Sequence, residues 1–527
     1  MTTYDPPVEP GPFGIDRALA ETQLPRLLAV YFSLQLIIRL SISSTLALDE
    51  AEQVLLSQWY QWGYAGQPPL YAWIQHLAFD LLGTNLLAFA LVKNGLLFLA
   101  YLFFWMTARR LWPDRVELAS LAVLSWFLVP QIAWEAQRDL SHSVMVLTVA
   151  SASLYAVVRA LARGPKRGSP GSLWYLVYGL LMGLGMLSKY NFVVFAGALN
   201  LALLSMPEGR TLLLNPRVFL ALASAVFVSA PHFSWAFAHA DVAVRSLSKV
   251  EVSGDNNRLV GLGVLLVAAV SFLTPLWLAC LALFGKLFRR SRNPTGTPDH
   301  YLVDRYLVVL ALGMATGVLV LGVGHVKERW MIPLLFLVPL AFFARSGKAE
   351  LDLKRSRWFR RVAASGAVLV LVASALRALL GPTLGVTTRV NYPFDAVAER
   401  LSELGGEGTH LLTHNTWFAG NLLKRFPGST AYVPGYVLPE PDRDQPVLVV
   451  WDAVRSGPLP EEMREDLISR FGLDPGGVEA EYFSLPYKFG AGREARVGYF
   501  RLGNSSGPSP ESGGIEPRVS QFLNPSA

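Results

Sequence analysis

The chain has 527 residues, of which 52% are hydrophobic and 16% charged, and its mean hydropathy of +0.36 is too apolar for one water-soluble globule. Its net charge is +7, but the basic residues fall into short loops between apolar runs. That is a pattern of membrane orientation, not a nucleic-acid-binding stripe, so a nucleic-acid partner is excluded. The single cysteine, Cys280, lies inside an apolar run and excludes an intrachain disulfide.

In chain order, residues 1–16 are rich in Pro, Gly and acids and are predicted to be a disordered tail. Apolar runs then recur at about 27–48, 86–108, 116–133, 143–162, 173–188, 191–206, 218–238, 259–284, 306–324, 331–344 and 362–381. These are eleven candidate membrane helices, against a need of ~20 residues each. The first run carries Arg39 and exceeds a signal-peptide core of roughly 7–15 residues, so it reads as a retained anchor. Gly179, Gly183 and Gly185 have the small-residue spacing that lets helices approach closely.

Loop charge tests this division. Arg109, Arg110 and Arg115 share one loop, and Arg159, Arg163, Lys166 and Arg167 another. Arg210 and Arg217 follow, then Lys286 to Arg292, then Arg345 to Arg361. These are alternate loops, which the positive-inside rule places in the cytoplasm together with the N-terminus. The remaining loops fall on the outer face: Asp49-Glu50, Glu135 to His142, Ser188 to Asn191, residues 239–258 and His325 to Trp330. All the unusual ionisable clusters therefore share one surface.

From residue 383 the spans stop. Strands are predicted at Thr409–His414, Ala431–Val433, Pro446–Asp452, Val478–Phe483 and Ala495–Leu502, with helices at Phe394–Leu404, Trp417–Arg425 and Leu459–Phe471. Alternating strands and helices indicate a small extracytoplasmic α/β domain over 383–503, followed by a Ser/Pro/Gly-rich tail, 504–527, predicted to be disordered. The expected fold class is an α-helical polytopic membrane protein, with a transmembrane domain over 17–382 of about eleven helices plus juxtamembrane helices, and a C-terminal soluble α/β domain.

The most informative stretch begins where the first span ends. Asp49-Glu50-Ala51-Glu52-Gln53 leads to Gly63-Tyr64-Ala65-Gly66-Gln67-Pro68-Pro69-Leu70-Tyr71-Ala72-Trp73. The prolines end any preceding helix, and the Trp and Tyr residues suit the headgroup level. Acids at a membrane boundary are either solvated or held for catalysis. Asp-Glu-Ala, then Gly-Tyr, then Pro-Pro-Leu-x-Ala-Trp resembles the bacterial protein-mannosyltransferase-like (GT-C, family 39) polyprenyl-phosphate-sugar glycosyltransferases. That family includes lipid A aminoarabinose and galacturonic acid transferases. The resemblance covers roughly the first 380 residues. It implies a GT-C fold and inverting transfer of a sugar from a polyprenyl-monophosphate donor, on the outer face of the cytoplasmic membrane. The implied acceptor is a hydroxyl of a cell-envelope glycolipid, such as lipid A, or of a glycan. Protein O-glycosylation and transport of a lipid-linked sugar are the alternatives. A transporter would place its charges near the midplane, often within internal repeats, and no repeat is evident.

Such a transfer needs a base, cations for the departing phosphate, and access to a lipid chain. The resemblance makes Asp49 the base. Glu50 is the second candidate, pointing about 100° away if both lie on a helix. Asp139, in Arg138-Asp139-Leu140-Ser141-His142, resembles the family's second acid and can cap the following helix or orient the acceptor. Candidate substrate-binding residues are Gln67, Tyr71, Arg138, His142, Lys189, Tyr190, His325, Lys327 and Arg329. Lys189 either snorkels to the interface or contacts substrate, as the family's Ser-Lys-Tyr implies. Lys327 and Arg329 resemble the family's basic-aromatic motif and are the first choice for the lipid phosphate; interfacial anchoring is the alternative. The aminoarabinose transferases have Glu-Lys-Pro where this chain has Gly66-Gln67-Pro68, which leaves the donor sugar open. Asp49, Glu50, Asp139 and His142 are ligand types for a divalent ion, but no spacing specifies one, and no cofactor is expected. His232 and His239 read as kink and interface residues. His414-Asn415 and Trp451-Asp452 end predicted strands and are expected to shape the acceptor entrance.

Overall fold

The computed structural model describes residues 17–163, 169–244, 258–290, 298–323, 326–344, 352–386, 388–490 and 492–503. The two predicted tails, His325, and the loop residues Lys166, Arg167, Arg345 and Lys348 lie outside the described residues. The N-terminal part contains α1 (Arg17–Ile42), α2 (Leu48–Leu56), α3 (Leu70–Leu82), α4 (Leu86–Leu111), α5 (Val116–Leu124), α6 (Ala136–Arg138), α7 (Ser141–Leu161), α8 (Ser172–Ser188), α9 (Phe192–Leu204), α10 (Pro207–Leu213) and α11 (Val218–Ala238). It continues through α12 (Ala240–Val244), α13 (Arg258–Leu273), α14 (Leu276–Arg290), α15 (Pro298–Leu321), α16 (Ile332–Leu335), α17 (Val338–Ala344) and α18 (Leu353–Thr383).

Among the described residues, six helices are long and apolar enough to cross a membrane, and three bent pairs raise the number to nine. Each bent pair turns at or beside a proline: Pro130 at 74°, Pro207 at 116° and Pro275 at 71°. A proline removes a backbone donor and its ring clashes with the preceding turn, so an apolar run breaks there. The run 331–344 also differs from a straight span. Pro333 and Pro339 divide it into α16 and α17, which are buried inside the helical body. Of the remaining runs, 173–188 forms a shorter apolar helix, α8.

The small-residue spacing of α8 does what its sequence predicts. A Cβ on Gly179 would lie 2.0 Å from the Ala221 carbonyl oxygen of α11, and one on Gly183 would lie 2.8 Å from that of Ala225. Elsewhere the body is built around Trp126, which stacks on Phe104 at 4.2 Å and donates from its indole to the Phe336 carbonyl at 2.8 Å.

The C-terminal part holds α19 (Phe394–Glu403), β1 (His410–Thr413), α20 (Thr416–Leu423), β2 (Thr430–Tyr432), β3 (Val447–Asp452), α21 (Ala453–Ser456), α22 (Glu461–Asp466), β4 (Glu481–Pro486) and β5 (Glu494–Leu502). The strands form one sheet of order β2-β1-β3-β5-β4. β1 runs parallel to both β2 and β3, whereas β5 is antiparallel to β3 and β4. β1 and β3 are buried along their whole length.

One core joins this sheet to the membrane-proximal helices. Leu46, Ala51, Val54 and Leu55 pack with Phe394, Trp417, Phe418 and Leu422. The contact is close because Gly420 has no side chain: a Cβ there would lie 2.0 Å from the Ala51 carbonyl oxygen. Polar pairs fix the register. The Trp417 indole donates to the Leu46 carbonyl at 2.9 Å, and Asn421 Oδ1 accepts from the Leu46 amide at 2.9 Å. Gln58 accepts from the Ala431 amide at 2.7 Å and donates to the Ala431 carbonyl at 3.1 Å, and Tyr436 donates to Glu52 at 2.7 Å. The helix after the first span is thus clamped between the helical body and the sheet.

Candidate active site

The site begins with two facing helix starts. In α2, Asp49 and Glu50 occupy the first turn, where unpaired amides and the helix dipole favour carboxylates. The start of α7 is prepared by Pro130, a five-residue π-turn over Gln131–Glu135, and α6. Leu140 then adopts left-handed backbone angles (φ 65°, ψ 44°), an uncommon conformation for a branched residue. That reversal brings Asp139 and Ser141 against α2. Asp139 Oδ1 accepts from the Asp49 amide at 3.0 Å, while Asp49 Oδ2 accepts from the Ser141 amide at 2.8 Å. Each acid therefore caps the helix that carries or follows the other.

The two carboxyl groups interact directly. Burial, and then the neighbouring Asp49 charge, push the Asp139 carboxyl up to about 7, against the pull of Lys93. A second carboxylate beside the Asp49 charge in a partly dry site is unfavourable, so Asp139 keeps its proton up toward neutral pH.

Glu50 is turned to another partner. The Arg39 guanidinium donates to it at 2.9 and 2.5 Å, and the Ala47 amide at 2.8 Å. Burial works to raise this carboxyl, but Arg39 outweighs it and holds Glu50 down at about 2. Arg39, read from sequence only as a mark against a signal peptide, is the buried counter-ion of the acidic motif.

Around the acid pair, Tyr71 and His142 are both buried, with ring centroids 6.0 Å apart. Lys189 at the end of α8 donates to Ser143 Oγ at 2.7 Å, one turn beyond Asp139. Tyr190 is bonded to His232 at 3.0 Å, and His232 Nδ1 lies 2.8 Å from the Trp62 carbonyl. His232 thus ties the segment after α8 to the first outer loop, and the kink reading understates it. Lys327, partly buried, and Arg329, exposed, flank Glu328, which accepts from Gln131 in the π-turn; Asn191 donates to the Trp330 carbonyl at 3.0 Å. Their segment is docked beside the chain that leads to Asp139, although no hydrogen bond joins either cation to the acids. Gln67 is partly buried in the first outer loop. Arg138 pairs with Glu135 at 2.7 Å.

Sequence reading passes over two cations. Lys93 on α4 and Arg377 on α18 line a narrow cleft with Arg39, Glu50 and Arg138. Ionisable residues inside apolar helices mark function by default, and that signal is present in the sequence. Among the described residues, no group of three or more His, Cys, Asp or Glu side chains is arranged to hold a metal ion.

A many-helix membrane body, an acid pair at one end of it and a small sheet domain covering that end define a GT-C glycosyltransferase. Comparison agrees on the fold: ArnT from Cupriavidus metallidurans superposes with a TM-score of 0.55 in the apo state and 0.54 bound to undecaprenyl phosphate. Both alignments are 13% identical and cover 98% of that chain, with 91% and 90% of this one respectively. Residues 66–235 match the family described as dolichyl-phosphate-mannose-protein mannosyltransferase. Two relatives from Rhizobium johnstonii are the lipopolysaccharide core galacturonosyltransferases RgtB, 34% identical, and RgtA, 32% identical; each alignment covers 90% of this chain and 96% of the relative. The chain belongs to this family of polyprenyl-phosphate-sugar glycosyltransferases. It is a multi-pass membrane glycosyltransferase.

Proposed function

We propose that the protein moves a uronic acid from a polyprenyl-monophosphate donor to a hydroxyl of an envelope glycolipid of the lipopolysaccharide type, on the outer face of the cytoplasmic membrane. The names of its two Rhizobium relatives support the sugar and the acceptor class. The observation that carries the chemistry is the reciprocal capping of Asp49 and Asp139. Asp49 takes the acceptor's hydroxyl proton; the oxygen attacks the anomeric carbon, and the bond from that carbon to the phosphate oxygen breaks. A single displacement inverts the centre. The phosphodiester leaves as a polyprenyl phosphate monoester with one more negative charge, which Lys189, Lys327 and Arg329 take up. Asp139, accepting from the Asp49 amide, keeps the base oriented. Tyr71 and His142 wall the site, and Gln67 and Tyr190 border the donor.

The test is transfer of labelled galacturonic acid from a polyprenyl-phosphate donor to lipopolysaccharide core glycolipid by purified protein in nanodiscs. Asp49→Asn is expected to lose about 10²–10⁴-fold in rate at an unchanged melting temperature. A folded variant with undiminished transfer would remove Asp49 from the mechanism.

A further inference from the structure

The cleft lined by Lys93 and Arg377 lies between α1, α4 and α18, beside the acid pair. Four cations, Arg39, Lys93, Arg138 and Arg377, line it against one carboxylate, and Lys93 and Arg377 meet Glu50 and the neighbouring Asp139 only through space. Glu50 is its one acidic lining residue and is occupied by Arg39; Arg138 at the rim is paired with Glu135. Lys93 is 5% exposed, yet its ammonium has no hydrogen-bond partner, and the Arg377 Nε is likewise buried without one. An unpaired buried cation is unfavourable, so the Lys93 ammonium, with the partly buried Arg377 guanidinium beside it, favours an anion in the cleft. Asn94 and Gln137, joined at 2.8 Å, add amide groups to the same wall.

Resting on the function proposed above, we propose that this cleft binds an oxyanion of the acceptor, a carboxylate or a phosphate monoester, and so presents the neighbouring hydroxyl to Asp49. Displacement geometry separates the two anions of the reaction. The incoming oxygen and the departing phosphate lie on opposite sides of the anomeric carbon. Lys189 and the 327–329 segment lie on the α7–α8 flank of the acid pair, whereas Lys93 and Arg377 lie on the α1–α4–α18 flank. One flank takes the leaving phosphate and the other the acceptor.

Lys93→Gln and Arg377→Gln are to be assayed in nanodiscs of zwitterionic lipid, with donor and core glycolipid varied separately. The expected result is an acceptor KM raised about tenfold or more, the scale of one lost charge-assisted hydrogen bond, with donor KM unchanged and Lys93→Arg restoring most of the loss. Core glycolipid with methyl-esterified carboxylates, and a dephosphorylated preparation, identify the group bound: the form that wild type and Lys93→Gln use equally poorly lacks it. A rise in donor KM instead, an unchanged acceptor KM, or an effect that appears only when anionic phospholipid is added would overturn the proposal. Acceptor binding without donor gives an independent readout if a variant is catalytically dead. Wild-type protein that binds core glycolipid through Lys93 but transfers no uronic acid would sink the functional reading and leave the cleft standing.

Discussion

Asp139 sits behind a leucine held in left-handed conformation, a geometry costing about 1–2 kcal/mol in an L-residue. Backbone strain of this kind persists where surrounding structure enforces it, commonly at active sites, and here its product is the pair of crossed hydrogen bonds. The shift on Asp139 has a pH consequence with a definite sign. Its carboxyl titrates near 3.8 in an unfolded chain and at about 7 in the folded protein. Between these values the folded state holds more protons, so raising the pH through this window weakens the fold. Asp139→Asn cannot titrate. The melting temperature of wild type minus that of Asp139→Asn should therefore fall from pH 4 to 7 and level off above; a difference that is flat over this range would contradict the raised titration of Asp139. At this scale the sequence is legible for Asp49 and Asp139, whose motif neighbours are contiguous. It is less so for Lys93 and Arg377, because loop-charge counting weighs residues between spans and these two lie within them.

Among the elements, α2 depends on a contact made with α20 across more than 360 positions of sequence. Nothing local announces that dependence: Gly420 lies within a helix, where periodicity alone gives no reason for a glycine. Adding one methyl group tests it. Gly420→Ala should destabilise the protein by about 1–3 kcal/mol, the usual cost of overpacking, and should lower kcat because Asp49 moves with α2. Thermal unfolding and initial rates measure the two effects. A stable Gly420→Ala protein with full activity would show that α2 does not need its cover. The strands and helices of the sheet part were readable because alternation and turn residues are local signals, and the observed strands follow the predicted ones within a few residues. The run 331–344 misleads because hydropathy counts its apolar residues, while Pro333 and Pro339 decide their geometry.

Across the whole molecule, the basic ends and the acidic site occupy opposite ends of the same helices. Arg109 and Arg110 close α4 at one end and Lys93 lies near the other; Lys354 and Arg355 open α18, with Arg377 near its far end. The ion pair between Arg360 and Glu117, at 4.0 Å, lies at the basic end. Orientation in the bilayer is open to a direct test. With the buried Cys280 replaced by Ser, Glu479→Cys on the exposed surface of the sheet part should react with a membrane-impermeant maleimide in intact spheroplasts. Arg357→Cys should react only after lysis. The reverse pattern would turn the protein over and place its chemistry in the cytoplasm. The clamp on α2 also sets an order of events during biogenesis. The acidic motif precedes the residues that cover it, from Tyr392 to Val437, by more than 340 positions, so during synthesis it emerges well before its cover. Until that later segment folds back, α2 lacks one of its two sides, and Asp49 is held only by its crossed hydrogen bonds with Asp139 and Ser141.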